Sequence, residues 1–286
     1  MPTLSFSPAS NEPYLARQAA ESFGADAERY DRTRPRYPQA LVDRIMADVA
    51  SRDLLDVGIG TGVSARPFGE AGCRVLGVEI DARMAEFARA DGFDVEVAKF
   101  EDWAAGRRMF DLVIAGTTWH WVEPRAGAAK AAKVLRPTGR PAAFWNVGRP
   151  PAQLAQAFSA VYKRVLPNTP FADMPSDPLT AYEPILTRAA DEIRLVGAFD
   201  EPQRWQHDWE QQYTTDQWLD HVPTFGGHSG FAPATLEALL EGVGTALDRI
   251  GGCFTMSYAT VAVTATRQPD PTYETREIRR VEETGR

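Results

Sequence analysis

Three glycines that directly follow a short apolar stretch are the chain's clearest chemical signal. The stretch 54–57 (Leu-Leu-Asp-Val) has the composition of a buried strand, and Gly58, Gly60 and Gly62 follow it at alternate positions. Glycine has no Cβ, so its backbone can approach a ligand closely and can adopt positive φ. A strand with an acid near its end, here Asp56, that runs into such a loop is typical of a nucleotide-binding turn.

The spacing of the glycines narrows the choice of ligand. The dinucleotide fingerprint needs its third glycine at position 63, where this chain has Val63. No Gly-Lys-Ser or Gly-Lys-Thr follows, which excludes a P-loop. A second acid, Glu79, ends the next apolar stretch about 23 residues after Asp56, near the position from which an acid holds a ribose diol. The loop and the two acids together predict a site for a nucleoside-containing cofactor.

The histidine within Trp119-His120-Trp121 is the best-placed candidate for acid–base chemistry. It lies just beyond the apolar stretch 110–115, where the carboxyl end of a fourth strand would face a ligand crevice. Imidazole titrates near neutrality, so His120 suits the removal of a proton from a phenol or an alcohol. The alternative is that His120 only hydrogen-bonds its own loop, while Trp119 and Trp121 pack instead of lining a substrate site.

Aromatic residues crowd the second half of the chain, at Trp205, Trp209, Trp218 and Phe225. One interpretation is a roof over an apolar or ring-containing substrate, with Trp205 and Trp209 as substrate contacts. The other is ordinary packing of an insert against the sheet.

Two further groups of residues invite hypotheses about binding. The same region holds three histidines: His207, His221 and His228. They form no HxH or HxxxH pair, so we expect no metal site. Near the amino terminus, Arg32, Arg34 and Arg36 could clamp a carboxylate, since guanidinium groups bind carboxylates bidentately, or they could form a solvated charge cluster.

The order of apolar and helical stretches predicts the elements that position these residues. We expect strands over 54–57, 74–80, 93–98, 110–115 and 141–146, and helices over 64–71, 82–90 and 124–135 with a turn at 136–139. Strands and helices that alternate in this way form βαβ units and a parallel sheet. Around this core we expect helical residues 13–50 with a break at 34–38, then a helix over 152–166, a strand near 193–199, a helix over 233–249 and a strand over 254–266.

Composition excludes several classes of protein. The 286 residues are 44% hydrophobic and 24% charged, as in ordinary globular chains. The net charge of -8 argues against a nucleic-acid-binding protein. No apolar run approaches the roughly 20 residues that span a bilayer, and the first residues do not resemble a signal peptide. Cys73 and Cys253 are too few for a disulfide framework or a zinc site. We expect a cytoplasmic protein with no membrane contact.

Three motifs, at 55–62, 75–81 and 110–116, resemble the successive motifs of class I S-adenosylmethionine-dependent methyltransferases. Together with the flanking segments the resemblance covers about residues 25–147. Within that superfamily, Tyr30-Asp31, the segment 34–38 (Arg-Pro-Arg-Tyr-Pro) and the tryptophan–histidine motif resemble the branch that contains trans-aconitate-type methyltransferases.

The resemblance implies an α/β fold. It implies a Rossmann-like, seven-stranded, mostly parallel sheet with one antiparallel strand, helices on both faces, an N-terminal helical cap and a C-terminal insert over the acceptor site. We place the cap at 1–50, the cofactor-binding core at 51–148, the insert at 149–232, the return to the core at 233–267 and a mobile tail at 268–286.

The resemblance also implies roles for residues around S-adenosylmethionine. The loop of Gly58, Gly60 and Gly62, preceded by Asp56, would lie beneath the methionine and ribose moieties. Glu79 would accept both ribose hydroxyls and Ile80 would lie against adenine. Ala115 would offer its carbonyl to the cofactor's ammonium group, and Tyr30 would reach its amino-acid end.

One departure from the family pattern concerns recognition of the adenine. Where many relatives have Gly-Asp-Ala after the third strand, this chain reads Ala98-Lys99-Phe100-Glu101-Asp102. The acid that often binds the adenine amino group is therefore missing from its usual position. Either Glu101 or Asp102 substitutes for it, or the Phe100 amide alone contacts the ring, or both acids are a solvated pair.

The sequence as a whole predicts transfer of a methyl group to a small-molecule acceptor, with S-adenosylhomocysteine as the second product. An oxygen acceptor, either hydroxyl or carboxylate, is our first expectation, and carbon or nitrogen acceptors stay open. Val63 disfavours a nicotinamide-linked oxidoreductase. The non-enzymatic alternative is a cofactor-binding scaffold or sensor. We expect a monomer or a homodimer.

Overall fold

A seven-stranded sheet organises the chain. The computed structural model describes Tyr14 and residues 22–49, 51–167, 169 and 177–269. The strands are β1 (Asp53–Val57), β2 (Arg74–Glu79), β3 (Asp94–Val97), β4 (Phe110–Gly116), β5 (Leu135–Arg149), β6 (Gln203–Thr214) and β7 (Cys253–Thr264). They lie side by side in the order β3-β2-β1-β4-β5-β7-β6.

Helices connect the strands and cover the sheet. The α-helices are α1 (Ala27–Thr33), α2 (Gln39–Met46), α3 (Arg66–Glu70), α4 (Ala82–Ala90), α5 (Pro124–Val134), α6 (Ala152–Val165), α7 (Pro178–Val196), α8 (Thr215–His221) and α9 (Pro233–Asp248). Short 3₁₀ turns occupy Ser22–Asp26, Phe100–Asp102, Trp119–Trp121, Val222–Thr224 and His228–Gly230. No helix among the described residues is both long and apolar enough to cross a membrane.

The strand directions confirm the predicted sheet. Strands β1 to β5 pair in parallel, while β7 runs antiparallel to both β5 and β6. The carboxyl ends of the parallel strands therefore meet at one edge of the sheet, which is where ligands of open α/β sheets bind.

Alternation along β5 shows how the two faces of the sheet are filled. Trp145 is fully buried among apolar residues of α5 and α7 on one face. The next residue back along the strand, Phe144, is fully buried on the other face with Leu41 of α2 and Phe68 of α3. Successive side chains of a strand point to opposite faces, so one strand contributes to both cores. Helices thus cover both faces of the sheet, as predicted.

The long hairpin of β6 and β7 extends the sheet and has its own apolar cluster. Phe158 of α6, Trp218 of α8, Leu239 of α9 and Met256 of β7 are all buried in it. Helix α9 packs against α6 in this cluster, although the predicted boundary at residue 232 assigns the two helices to different segments. The predicted division into segments stays a prediction.

Three local predictions are wrong. Residues 193–199 are not a strand, because α7 continues to Val196 despite Pro184 in its interior. A strand that was not expected, β6, follows at 203–214. The predicted turn at 136–139 lies within β5, where the register shifts opposite Phe110 and Leu112 and Thr138 has a φ of 65°. The predicted mobile tail lies outside the described residues from position 270 onward.

Ion pairs attach the helical cap to the C-terminal part of the chain. Asp220 of α8 accepts hydrogen bonds from the guanidinium groups of Arg29 and Arg32, both on α1. Tyr30 on α1 and Trp218 and His221 on α8 lie at the same edge of the sheet as the glycine loop, where they help to enclose the site.

Candidate active site

A cavity of about 330 Å³ lies at the carboxyl ends of β1, β2 and β4. Nine residues predicted from the sequence line it: Tyr30, Gly58, Gly60, Glu79, Ile80, Phe100, Glu101, His120 and Trp121. The fold therefore brings together residues as far apart in the chain as Tyr30 and Trp121. Ligand cavities of enzymes commonly begin at about this volume.

The three glycines of the loop serve different purposes. All three have positive φ, at 66° for Gly58, 58° for Gly60 and 92° for Gly62. A Cβ on Gly58 would lie 2.2 Å from Thr118 Cγ2, and one on Gly62 would lie 2.7 Å from Phe93 Cε2. A Cβ on Gly60 would meet nothing closer than Met84 Cε, at 3.5 Å. Gly58 and Gly62 are thus required for packing, while Gly60 leaves space on the cavity side.

Glu79 joins the end of β2 to the glycine loop. Its Oε2 accepts a hydrogen bond from the Gly60 amide at 2.8 Å. Its Oε1 accepts from the Ile80 and Asp81 amides at 2.8 and 2.9 Å. Burial raises the pKa of Glu79, and the three amide donors oppose that rise. A carboxylate has about four acceptor positions, so Glu79 can still accept from a ligand.

Asp56 lies fully buried beneath the loop. Its Oδ2 accepts a hydrogen bond from Ser64 Oγ at 2.7 Å, whereas Oδ1 has no partner among the described residues. Burial raises the pKa of Asp56 to about 8, and the nearby charge of Glu79 adds to the rise. A buried carboxylate with one oxygen unsatisfied is suited to a cationic or hydrogen-bond-donating group of a ligand.

The segment after β3 distinguishes the candidates for adenine recognition. Phe100 and Glu101 line the cavity together with Lys99, whereas Asp102 is exposed and does not. Glu101 Oε1 also accepts from the Glu123 amide at 2.5 Å, just before α5. Glu101 therefore has a structural partner, and the Phe100 amide remains the other candidate.

His120 is held in one tautomeric form by a neighbouring strand. Trp145 Nε1 donates a hydrogen bond to His120 Nδ1 at 3.1 Å. An indole N–H is only a donor, so Nδ1 is unprotonated and the neutral ring carries its proton on Nε2. Burial lowers the pKa of His120 to about 3. At neutral pH this histidine is an uncharged hydrogen-bond donor and a poor base.

Thr117 and Thr118 give the loop between β4 and His120 its shape. Thr117 has a φ of 57°, which is rare for a residue with a β-branched side chain. Its hydroxyl lies 2.9 Å from the Tyr37 hydroxyl. Thr118 Oγ1 donates to the Gly58 carbonyl at 3.2 Å and so ties this loop to the glycine loop. Sequence reasoning missed both threonines, because a Thr-Thr pair carries no chemical signature.

Several predicted site residues do not line the main cavity. Asp56, Gly62 and Ala115 are buried and are not among its lining residues. Trp119 is buried and donates from Nε1 to Glu192 Oε2 at 3.2 Å. It lies on the opposite side of the turn from the cavity lining.

Trp205 and Trp209 lie in the hairpin, away from the main cavity. Trp205 is buried under the guanidinium group of Arg44, whose Cζ is 4.1 Å from the ring centroid. Trp209 donates to Thr260 Oγ1 at 2.8 Å and stacks on Tyr258 with 4.5 Å between centroids. Packing is thus the role that the structure shows for these two tryptophans, and neither is among the described lining residues.

A second, smaller cavity of about 60 Å³ adjoins the first. The two share lining residues: Tyr30, Gly58, Gly60, Thr117 and Thr118. Its other walls come from the cap (Arg34, Tyr37), the glycine loop (Thr61, Ser64), β5 (Asn146), α8 (Trp218, His221) and β7 (Tyr258). The crowding of aromatic residues after position 200 hinted at this wall, but nothing in the sequence indicated Asn146 or Tyr258.

The histidines of the second half do not form a metal site in the described part of the chain, where no suitable group of His, Cys, Asp or Glu side chains occurs. His228 lies 2.9 Å from the Tyr162 hydroxyl through Nε2. His221 lies in the wall of the second cavity.

Comparison with known proteins defines the class. Residues 55–143 match the family profile described as "Methyltransferase domain". Residues 55–143 therefore carry a methyltransferase domain, and this match and the fold confirm the resemblance drawn from the three motifs. The trans-aconitate-type branch stays a prediction.

Two curated relatives share part of this domain. An uncharacterized methyltransferase of Mycobacterium tuberculosis is 34% identical over 133 residues, which are 46% of this chain and 54% of the relative. Malonyl-[acyl-carrier protein] O-methyltransferase of Hahella chejuensis is 33% identical over 135 residues, which are 43% of this chain and 47% of the relative. The chain thus spans about half the length of the curated relatives it matches.

Solved structures show the same fold. A protein of Anaeromyxobacter dehalogenans assigned as a type II methyltransferase aligns with a TM-score of 0.61 and 21% identity, over 83% of this chain and 99% of that chain. A protein solved in work on the conversion of a disulfide bond into a thioacetal group during echinomycin biosynthesis aligns with a TM-score of 0.53 and 18% identity, over 92% and 98%.

Proposed function

We propose that this protein transfers a methyl group from S-adenosylmethionine to a small-molecule acceptor at oxygen. The observation that carries the proposal is the main cavity, whose wall combines the glycine loop, Glu79 and the His120 loop at the carboxyl ends of three neighbouring strands. No other arrangement among the described residues places a ribose-binding acid and a positive-φ loop around one space.

The residues present fit this cofactor. Asp56 supports the glycine loop from beneath, outside the cavity lining, through its hydrogen bond with Ser64. Gly60 leaves the cavity side open, and Glu79 is fixed at the position of a ribose-binding acid. The apolar side chains of Ile80 and Phe100 line the part of the cavity that would hold adenine. Tyr30 and the Ala115 carbonyl remain the proposed contacts of the amino-acid end.

The protein's own contribution is alignment and exclusion of water. When bound, S-adenosylmethionine supplies a methyl group on a sulfonium centre with a good leaving group. Holding two reactants in line contributes up to about 7–11 kcal/mol in model reactions. Three aromatic side chains, Phe23, Tyr30 and Trp121, form one wall of the main cavity. The ring centroid of Phe23 is 5.8 Å from that of Tyr30 and 6.3 Å from that of Trp121.

His120 orients the acceptor in this proposal instead of deprotonating it. Its Nδ1 already accepts from Trp145, and burial holds its pKa near 3, which is too low for an effective base at neutral pH. Among oxygen acceptors, the one that needs no base is one that is already ionised. A carboxylate therefore fits this site better than a hydroxyl, and the product would be a methyl ester.

The decisive experiment incubates the protein with methyl-labelled S-adenosylmethionine and a panel of carboxylic acids, phenols, alcohols and amines. Release of S-adenosylhomocysteine with a labelled, base-labile product supports transfer to a carboxylate, whereas a base-stable product indicates an ether, an amine or a carbon acceptor. Tight cofactor binding without turnover on any acceptor would favour a non-catalytic scaffold or sensor instead.

A further inference from the structure

Arg34 differs from its two arginine neighbours in having no acidic partner among the described residues. Arg32 pairs with Asp220 at 2.9 Å, and Arg36 lies 3.6 Å from Asp31. Arg34 makes no ion pair with any carboxylate in the described ranges; its Nη2 donates to the Thr224 carbonyl, and its Nε is buried without an acceptor. A guanidinium group removed from water is costly unless an anion compensates it.

Two more unsatisfied donors lie beside Arg34 in the second cavity. Trp218 is 1% exposed and its indole Nε1 has no partner among the described residues. His221 is 3% exposed, and both of its ring nitrogens lack a partner there. Burial, with the charge of Arg34 adding to it, lowers the pKa of His221 well below its usual value, so the ring is neutral and supplies one N–H.

The charge in the described lining of the second cavity is positive. Its described lining contains Arg34 but no aspartate or glutamate. The hydroxyl of Thr61, another lining residue, is also buried and has no hydrogen-bond partner in the part of the chain that the structure describes. Arginine and tryptophan side chains donate and cannot accept, so the group that satisfies them must be an acceptor. A volume of about 60 Å³ admits a small planar group and not a large one.

We propose that the second cavity is a binding site for a carboxylate group, with Arg34, Trp218 and His221 as its donors. The site adjoins the proposed cofactor cavity through Gly58 and Thr118, so the inference rests on the proposed function for what occupies the neighbouring space. We assign this carboxylate to the acceptor, which the proposed function already takes to be ionised; the amino-acid end of S-adenosylmethionine is the competing occupant that the test has to exclude.

The indole N–H signal of Trp218 gives a direct test that needs no turnover. With ¹⁵N-tryptophan labelling the seven tryptophans give seven indole signals, and Trp218→Phe assigns one of them. The wild-type protein is titrated with S-adenosylmethionine, with decarboxylated S-adenosylmethionine and, in the presence of S-adenosylhomocysteine, with propionate, succinate and benzoate and their amides. We expect the free acids to move the Trp218 signal, their amides to leave it in place, and the two forms of the cofactor to act alike.

The pattern of shifts identifies the source. If S-adenosylmethionine moves the signal and its decarboxylated form does not, the cofactor occupies the cavity and the assignment to the acceptor is overturned. If both forms act alike and a free acid moves the signal while its amide does not, the acceptor supplies it. Acids and amides that act alike, with both cofactor forms also equal, would overturn the proposal.

Arg34→Gln provides the second arm, with Arg36→Gln as a matched control two residues away. We expect Arg34→Gln to weaken the carboxylate-bearing ligand about 10- to 100-fold, as loss of hydrogen bonds to a charged group predicts, and to leave the decarboxylated or amide counterpart unchanged. Equal affinities in the two variants would contradict the proposal. If no cofactor form binds the wild-type protein, the proposed function fails, yet the titration with free acids still decides the carboxylate site.

Discussion

Arg32 and Asp220 form a two-point ion pair that spans 188 positions of the sequence, with Nε–Oδ2 at 3.0 Å and Nη2–Oδ2 at 2.9 Å. Arg29 Nε reaches the other oxygen of the same carboxylate at 3.0 Å. One acid thus links α1, which carries Tyr30 and leads to Arg34, to α8, which carries Trp218 and His221. The walls of the second cavity are therefore positioned relative to each other by this contact.

Asp220→Asn should loosen the cap more than it unfolds the protein. Both arginines are partly exposed, so we expect only a small loss in the free energy of unfolding. Hydrogen exchange should accelerate in residues 27–33, because this segment loses its charged anchor, while β1 and β4 keep their protection. Unchanged exchange in the cap would contradict the assigned role of Asp220.

Glu79→Ala should weaken binding of S-adenosylhomocysteine by about 2–3 kcal/mol, since hydrogen bonds to a charged acceptor are lost. The glycine loop loses the acceptor of its Gly60 amide as well, so Glu79→Gln should fall between the alanine variant and the wild type. Calorimetry measures the affinities. Glu86→Ala, at an exposed acid on α4, is the control and should bind normally. Wild-type affinity in Glu79→Ala would remove this residue from the site.

Gly60→Val should abolish cofactor binding and keep the far-UV circular dichroism of a folded protein. The new side chain would project into the space that Gly60 leaves open, and the φ of 58° adds strain. Gly106→Val is the matched control, because Gly106 has a φ of 63° and open space around its Cβ position but lies away from the cavity. Both variants should lose similar stability, and only the first should lose binding. A Gly60→Val protein that binds normally would place the cofactor elsewhere.

The state of His120 can be read without an acceptor. Nitrogen NMR should show Nδ1 as an unprotonated nitrogen and Nε2 as a protonated one, and neither should titrate between pH 8 and 5, because the pKa lies near 3. In Trp145→Phe, which removes the donor to Nδ1, the second tautomer should become populated. Once an acceptor is found, the rate should show no histidine-dependent fall as pH drops through 6.5. Such a fall, lost in His120→Gln, would restore the role of general base.

Glu192 should make stability depend on pH. Burial raises the pKa of this acid to about 7, against hydrogen bonds from Trp119 and Arg188 that oppose the rise. The folded state therefore holds its proton at pH values where the unfolded chain has lost it. The stability that the protonated group contributes is complete below about pH 4.5 and declines as pH rises to 7. Relative to Glu192→Gln, the wild type should lose about 2–3 kcal/mol over that range in urea unfolding. Parallel pH curves for the two proteins would contradict this.

Strands β1 to β4 were predictable because they are short, mostly apolar and separated from one another by turns and helical stretches. Helix α4 begins and ends within the predicted range, since Asp81 caps its first turn and the apolar positions repeat with helical spacing. Helix α7 was missed because Pro184 and the β-branched residues near Ile193 weigh against a helix locally, while packing on the sheet decides otherwise. In β6, Trp205, Trp209 and Tyr213 fall at a spacing of four, which fits a strand face and a helix face equally well.

The cofactor side of the site could be predicted because a loop and an acid at fixed spacing carry it. The second cavity could not, because its walls come from six separate segments that meet only in the fold. The chemistry of His120 was also beyond the sequence. Its residue type suggests a base, but the indole of Trp145 on β5 fixes the tautomer of the imidazole, and burial lowers the pKa of His120.

The strand order has a consequence for how the protein assembles. Strand β7 is made last but lies between β5 and β6, so β6 has no neighbour in the sheet until residues 253–264 have left the ribosome. Tyr258, a wall of the second cavity, arrives with that strand. Until then the nascent chain holds a sheet of the five strands β1 to β5 and an unpaired β6. In this state β5 and β6 offer exposed strand edges to other chains. Chaperone dependence and aggregation during synthesis should therefore concentrate in the interval between completion of β6 and completion of β7.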